Sequence, residues 1–428
     1  MRKEEFPEYG VTRFAGVTES GLAVYVYPRT GFRTKYAFLA AQYGGCDLRF
    51  TLRGKWKDTP PGIAHYLEHK MFEMPDYTAI EKLTALGARP NAFTSSSMTG
   101  YHFTCTENYL ADLEELITFV TTPWFTEESV EKERGIITQE IRMRLDEPGR
   151  RVRTELLRSL YARHPIREGN LGTEESIAQI TPETLYSCHE AFYRPDNMVL
   201  CCAGDIDPEA AFALAERLMP ERPKRKLPER DYGGEDSLLP VILRTETQMS
   251  VSMPVFLLGS KLPFRGYGRD WAKQLLLADL SCALLLGEDS PLYGALYDEG
   301  LINSSFSAAP MDFPEGAVVC AGGRCPDPRA VLGRIADAAE DFTMDREALA
   351  RFDRLQKAAL GNFVMALDSL TGLCHTQADG QFCGWDRMES PKLRKELAPE
   401  DAEAFIHDCF RADRLAMSVV RPLDTAKG

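Results

Sequence analysis

The chain has 428 residues, 44% of them apolar and 10% aromatic, and its 50 basic and 64 acidic residues leave a formal net charge of −14. This is the composition of a globular protein of two or three domains with a sizeable core, and it holds no basic excess to neutralise nucleic-acid phosphates. Eleven cysteines without a Cys-x-x-Cys pair read as reduced thiols rather than a disulfide framework.

From the N-terminus, MRKEEFPEYG is followed by no apolar h-region, so no secretory signal is expected. The longest apolar runs, such as LLLADLSCALLL (275–286), carry an aspartate and are too short to span a bilayer. A cytoplasmic protein without a membrane partner is expected.

LAVYVYP (22–28) and KYAFLAAQYGG (35–45) predict strands by their alternating and apolar runs. DTPPGIAHYLEHKMF then offers a helix start, with Asp58 or Thr59 as cap and prolines in the first turn. On the helix expected over Gly62–Phe72, His65 and His69 lie one turn apart on one face, and Glu68 sits at its edge. Two imidazoles in this position can reach one ion, with the carboxylate close enough to act on a water molecule. H-x-x-E-H therefore fits a zinc hydrolase site with a general base; a solvated helix face is the alternative.

A second helix is expected over Tyr77–Leu86, and NAFTSSSMTGYHFTCT (91–106) reads as a strand pair. Helices over Leu110–Thr121 and Glu127–Leu145 follow. On the latter, Glu133 and Glu140 are two turns apart and share a face, beside Ile136, Ile137 and Ile141, which would pack inward. Carboxylates on an inward face require compensating charge, which zinc would supply. Equally, the acids could pair with Lys132, Arg134 and Arg144 at the surface. The half closes on the strand NMVLCCAGDID (197–207).

PERPKRKLPERDYGGEDSLLP (220–240) reads as a solvated linker, rich in proline and charge. It separates an N-terminal domain, 1–219, from a C-terminal one, 241–428. The second half repeats the pattern of the first: strand-like VILRTETQMSVSMPVFLLG, helical stretches flanking Asp289–Ser290, strand-like GAVVCAGGR (316–324) and a helix over Arg346–Leu367. The expected fold is α+β, two tandem copies of one domain with helices packed on a mixed, mostly antiparallel sheet. The second copy has no H-x-x-E-H, so one metal site per chain is expected. His102, His164, His189, His375 and His407 have no partner at metal-ligand spacing and read as structural.

PGIAHYLEHKMF, ARPNAFTSSSMTGYHF, EKERGIITQEI and FYRPDNMVLCCAGDID together resemble the inverzincin metallopeptidases of the pitrilysin and mitochondrial processing peptidase superfamily. The resemblance covers nearly the whole chain. It implies that His65, His69 and Glu140 hold one Zn²⁺, that Glu68 is the catalytic base and that Glu133 supports the site. It also implies that a peptide substrate binds as an added strand along Asn91, Ala92, Phe93 and Thr94; from the residues alone an exposed hairpin is equally allowed. The chain's length resembles that of a branch assembled from two subunits, each forming half of a clam-shell chamber, and HKMFE and SPLYGALYDEGLI resemble its bacterial members. That branch carries a link to elongation factor P modification. In related peptidases the second half, or a partner subunit, supplies an arginine and a tyrosine from a segment similar to LYGALYDEGLINSSF (292–306). Here Tyr297 stands where the arginine should be and Asn303 falls near the tyrosine, so a homologous partner subunit supplying both is implied. A non-catalytic assembly subunit is the alternative, and a third reading makes the zinc purely structural.

Overall fold

The computed structural model describes residues 1–221, 223–234 and 237–423. These residues divide into two compact units, one within 1–141, 169–232 and 363–387 and the other within 142–168, 233–362 and 388–428.

The first unit is built on strands β1 (Arg2–Phe6), β2 (Val11–Val17), β3 (Ala23–Pro28), β4 (Lys35–Ala41), a β5–β6 hairpin (Arg49–Leu52, Lys55–Asp58), β7 (Arg89–Thr94), β8 (Thr99–Cys105) and β9 (Met198–Gly204). Seven of these form one sheet in the order β1-β2-β3-β9-β4-β8-β7. All its pairs are antiparallel except β3 with β9. The second unit has β10 (Arg244–Met249), β11 (Val255–Leu262), β12 (Ser307–Phe313), β13 (Gly316–Arg324) and β14 (Ala416–Pro422), ordered β10-β14-β11-β13-β12. Again only the first pair, β10 with β14, is parallel. This order matches β3-β9-β4-β8-β7 strand for strand, so the α+β repeat expected from the sequence is present.

The units are not contiguous halves, as the division at 220–240 would have it. Each half lends one helix to the other unit. Pro148–Leu160 buries Val152, Leu156 and Leu160 and packs on β11 and β14. Gly259 on β11 makes room: a Cβ there would meet Leu156 Cδ2 at 2.9 Å. Leu370–Cys383 packs on β9 and β4, where Gln377 Oε1 accepts from Arg13 at 2.7 Å and from the Tyr27 hydroxyl at 2.6 Å. An amphipathic helix shows in sequence that it needs a sheet, but not which one.

The linker also differs from expectation. Pro223, Arg225 and Lys226 give their carbonyls to the buried Arg194 guanidinium, and Tyr232 donates to Asp47 at 2.7 Å. Its first part is thus held on the first unit by buried cationic and phenolic donors. Residues 222, 235 and 236 of that stretch lie outside the described residues. All eleven cysteines are free thiols. Among the described residues, no helix is long and apolar enough to cross a membrane.

Three of the remaining histidines make local contacts. His164 lies 2.7 Å from the Pro314 carbonyl, His375 2.8 Å from the Tyr36 hydroxyl, and His189 3.1 Å from the Val120 carbonyl. Burial pushes His189 down to about 4, against the smaller upward effect of that carbonyl. The unfolded chain therefore binds a proton that the folded chain refuses between pH about 4 and about 6.5, and stability falls on acidification through that window. We expect this residue to cost about 2 kcal/mol at pH about 5 relative to neutral pH. His189→Gln, which keeps a donor for Val120 without the charge, should flatten the fall in urea midpoint between these pH values. An unchanged fall would contradict the assignment.

Candidate metal centre

The helix Ile63–Met71 buries Ile63, Ala64, Tyr66, Leu67 and Met71 in the first unit's core, which turns His65, Glu68 and His69 to one side. Its start differs from the sequence reading. Neither Asp58 nor Thr59 caps it: Asp58 ends β6, and Thr59 donates to the Leu48 carbonyl at 2.9 Å. The N-cap is Gly62 at φ 93°, and a Cβ there would meet the Leu171 carbonyl oxygen at 2.5 Å. A left-handed residue in so tight a place must be glycine.

The long helix Glu127–Leu145 forms where expected. Val130, Ile137 and Ile141 form its buried stripe, with Glu133 and Glu140 on the same side at helical spacing. Ile136 corrects the expectation: it is 49% exposed, because residue 136 falls off a stripe that runs 130, 133, 137, 140, 141. The Tyr66 hydroxyl donates to the Val130 carbonyl and ties the two helices together.

Three candidate ligand atoms converge between these helices. Glu140 Oε2 lies 3.6 Å from His65 Nε2 and 3.8 Å from His69 Nε2. The three side chains offer donors all within 4.8 Å of one another. An ion bonded at about 2.0–2.1 Å bridges donors up to about 4.2 Å apart, so both separations to Glu140 fit one zinc ion. Glu133 Oε1 is 2.9 Å from His69 Nδ1. With the ring proton on Nδ1, the Nε2 lone pair is free for a metal. Two imidazoles and one carboxylate are a zinc hydrolase donor set. The further acids Glu68 and Glu133 make the centre strongly electron-rich.

The pKa shifts carry the same sign. Burial alone would lower His69, but the Glu133 hydrogen bond and the charges of Glu133, Glu68 and Glu140 outweigh it and raise His69. The pocket thus favours a positive charge at this point. Glu68 is raised, mainly by burial, against the lowering effects of Thr94 and His69; Glu140 adds to the rise. If Glu133 orients His69 in this way, Glu133→Gln should lower metal affinity or activity by about 10–100-fold. A zinc titration by competition with a chelating dye tests this; a loss as large as that of Glu140→Gln would mean that Glu133 is itself a ligand.

Among the described residues, β7 lies at the sheet edge, paired with β8 alone. Its Thr94 hydroxyl donates to Glu68 Oε2 at 2.5 Å, which brings the strand to the centre. Asn91 and Phe93 alternate with Ala92 and Thr94. Phe93 stacks on Phe38, 5.8 Å between centroids, and by strand alternation lies on the face opposite Thr94. The sequence reading missed Asn170, whose amide donates to the Thr94 carbonyl at 3.2 Å; nothing in its loop sequence marks it. In the second unit, Tyr297 is 52% exposed. Asn303 is used locally, donating to the Arg324 carbonyl at 3.1 Å and accepting from the Ser305 amide at 2.9 Å.

Residues 54–174, which contain every candidate ligand, match the family model described as insulinase (peptidase family M16). Residues 179–342 match the one described as the peptidase M16 inactive domain. The uncharacterized zinc protease YmfH of Bacillus subtilis is 35% identical over 433 residues, 98% of this chain and 98% of that protein. The uncharacterized zinc protease ML0855 of Mycobacterium leprae is 30% identical over 72% of this chain and 71% of its own. A protein from Alicyclobacillus acidocaldarius crystallised as an M16-like peptidase superposes with TM-score 0.91 at 32% identity, covering 98% of this chain and 100% of that one. A protease from Helicobacter pylori shares the fold, with TM-score 0.80 at 18% identity over 96% of this chain and 99% of its own.

Proposed function

From the premise that the chain belongs to the insulinase (M16) peptidase family, we propose that it is a zinc-dependent endopeptidase acting on small peptides or unfolded segments, and the catalytic subunit of a heterodimer. The observation that carries this reading is the convergence of His65, His69 and Glu140 beside a buried Glu68 at the end of an edge strand.

His65, His69 and Glu140 would hold the zinc ion, which when bound supplies Lewis-acid activation of water and of a peptide carbonyl. Glu68 takes the proton of the attacking water and returns it to the leaving amine nitrogen. Glu133 holds the His69 ring by Nδ1 and so fixes which nitrogen faces the ion. The free edge of β7, Asn91–Thr94, receives the substrate as an added strand. Main-chain hydrogen bonds set its register and make little demand on its sequence.

The absent arginine and tyrosine favour a partner. With Tyr297 where the resemblance places the arginine and Asn303 used within its own loop, the 292–306 segment does not offer the arginine–tyrosine pair that the resemblance implies. A homologous subunit would bring them and close a chamber over the centre. Wild-type protein should carry one equivalent of zinc in elemental analysis and His65→Ala should carry much less; equal zinc in both would sink the reading.

A further inference from the structure

Glu68 is held through one oxygen only. Thr94 Oγ1 donates to Oε2 at 2.5 Å, and among the described residues no hydrogen bond reaches Oε1. Nor is Oε1 among the fully buried polar atoms left without a partner, so it keeps access to the cleft surface.

The direction of the Thr94 hydroxyl is fixed by its neighbours. Thr99 Oγ1 lies 3.4 Å from Thr94 Oγ1, but it donates its own proton to the Tyr43 carbonyl at 2.8 Å. Thr99 can therefore only accept, from a longer distance, while the Glu68 carboxylate is the nearer and stronger acceptor. The single Thr94 proton goes to Glu68. The Thr94 backbone is pinned as well: its carbonyl accepts from Asn170 at 3.2 Å, and the turn that follows is closed by the Ser95 amide on the Met98 carbonyl at 2.8 Å. Asn170 is packed tightly in its turn, since a Cβ on Gly45 would meet its Oδ1 at 2.3 Å.

We propose that Thr94 is a positioning residue: its hydroxyl claims Oε2 of Glu68 and leaves Oε1 as the atom that takes the proton from water and hands it to the leaving nitrogen. The inference rests on Glu68 being the base. It also links two parts of the site, because the residue that orients the base belongs to the strand on which substrate docks. A hydroxyl is required here and a methyl is not.

The test uses full-length, zinc-loaded protein, assayed with its partner subunit on a fluorogenic unstructured peptide. Thr94→Val keeps the shape and removes the donor; Thr94→Ser keeps the donor. Thr94→Val should lose about 10–100-fold in kcat with KM and zinc content unchanged, and Thr94→Ser should stay within a few-fold of wild type. Adding Thr94→Val to Glu68→Gln should cost nothing further, since the group it orients is gone. A wild-type kcat in Thr94→Val, alongside an inactive Glu68→Gln, would overturn this inference and leave Glu68 as the base. An equal loss in the valine and serine variants would make Thr94 a packing residue and also overturn it. Full activity in Glu68→Gln, or an inactive wild type, would instead remove the reading on which it rests.

Discussion

Zinc-loaded Glu68→Gln should keep its metal and lose peptidase activity by about 10²–10⁴-fold, the range that general acid–base catalysis supplies. Glutamine preserves the shape and can still accept the Thr94 hydrogen bond, but it cannot take a proton. His65, His69 and Glu140 are untouched, so a change in zinc content is not expected. The buried setting of Glu68 makes it suited to the task. Desolvation raises its proton affinity, while the Thr94 hydrogen bond and the His69 charge hold it back. Parallel measurement of zinc and of turnover on one peptide separates the outcomes. Retained turnover in the metal-loaded variant would place the base elsewhere.

The isolated chain should be a poor peptidase, and a homologous subunit bearing the arginine and tyrosine should raise its turnover by about 10²–10³-fold, the worth of oxyanion donors. Two features of the second unit motivate this. Its helix Arg269–Leu286, which follows β11 as Ile63–Met71 follows β4, carries no histidine. Its 292–306 segment has a solvent-exposed Tyr297, stacked on Tyr293 at 6.1 Å, and an Asn303 committed to the Arg324 carbonyl. Asn303 is thus used within its own loop, and a tyrosine stands where the resemblance places the arginine. The assay compares the chain alone, the chain with the candidate subunit, and the chain with that subunit's arginine changed to alanine. The gain should appear in the second arm and vanish in the third. Full activity of the isolated chain, with no gain from any homologue, would leave a self-sufficient enzyme.

The parts of this site differed in how plainly the sequence announced them. His65, Glu68 and His69 could be placed from spacing alone, because a helix turn fixes their relative position whatever surrounds it. The third ligand could not. Glu133 and Glu140 share a helical face, but charge pairing with nearby Arg and Lys is just as good a use of a surface acid. The resemblance favours Glu140, and the fold brings its Oε2 to 3.6 Å from His65, which supports that reading. β7 was legible as a strand. Its edge position depends on strand order, which no local signal encodes. The repeat was visible as a succession of elements, whereas the exchange of Pro148–Leu160 and Leu370–Cys383 between units was not, because an apolar stripe carries no address. The linker misled by composition: its prolines and charges suggest solvation, yet Arg194 and Arg230 are buried or half-buried donors that need carbonyls and bring the chain down onto the first unit. Gly62 misled in the same way, since Asp58 and Thr59 are good caps by type and a left-handed glycine did the job instead.

The most direct measurement is anomalous diffraction at the zinc edge from crystals of the wild-type protein. The account predicts one peak per chain, within bonding distance of His65 Nε2, His69 Nε2 and a Glu140 carboxylate oxygen, with Glu133 on the far side of the His69 ring. A peak bonded to Glu133 in place of Glu140, a peak elsewhere in the chain, or no peak from zinc-saturated protein would contradict it.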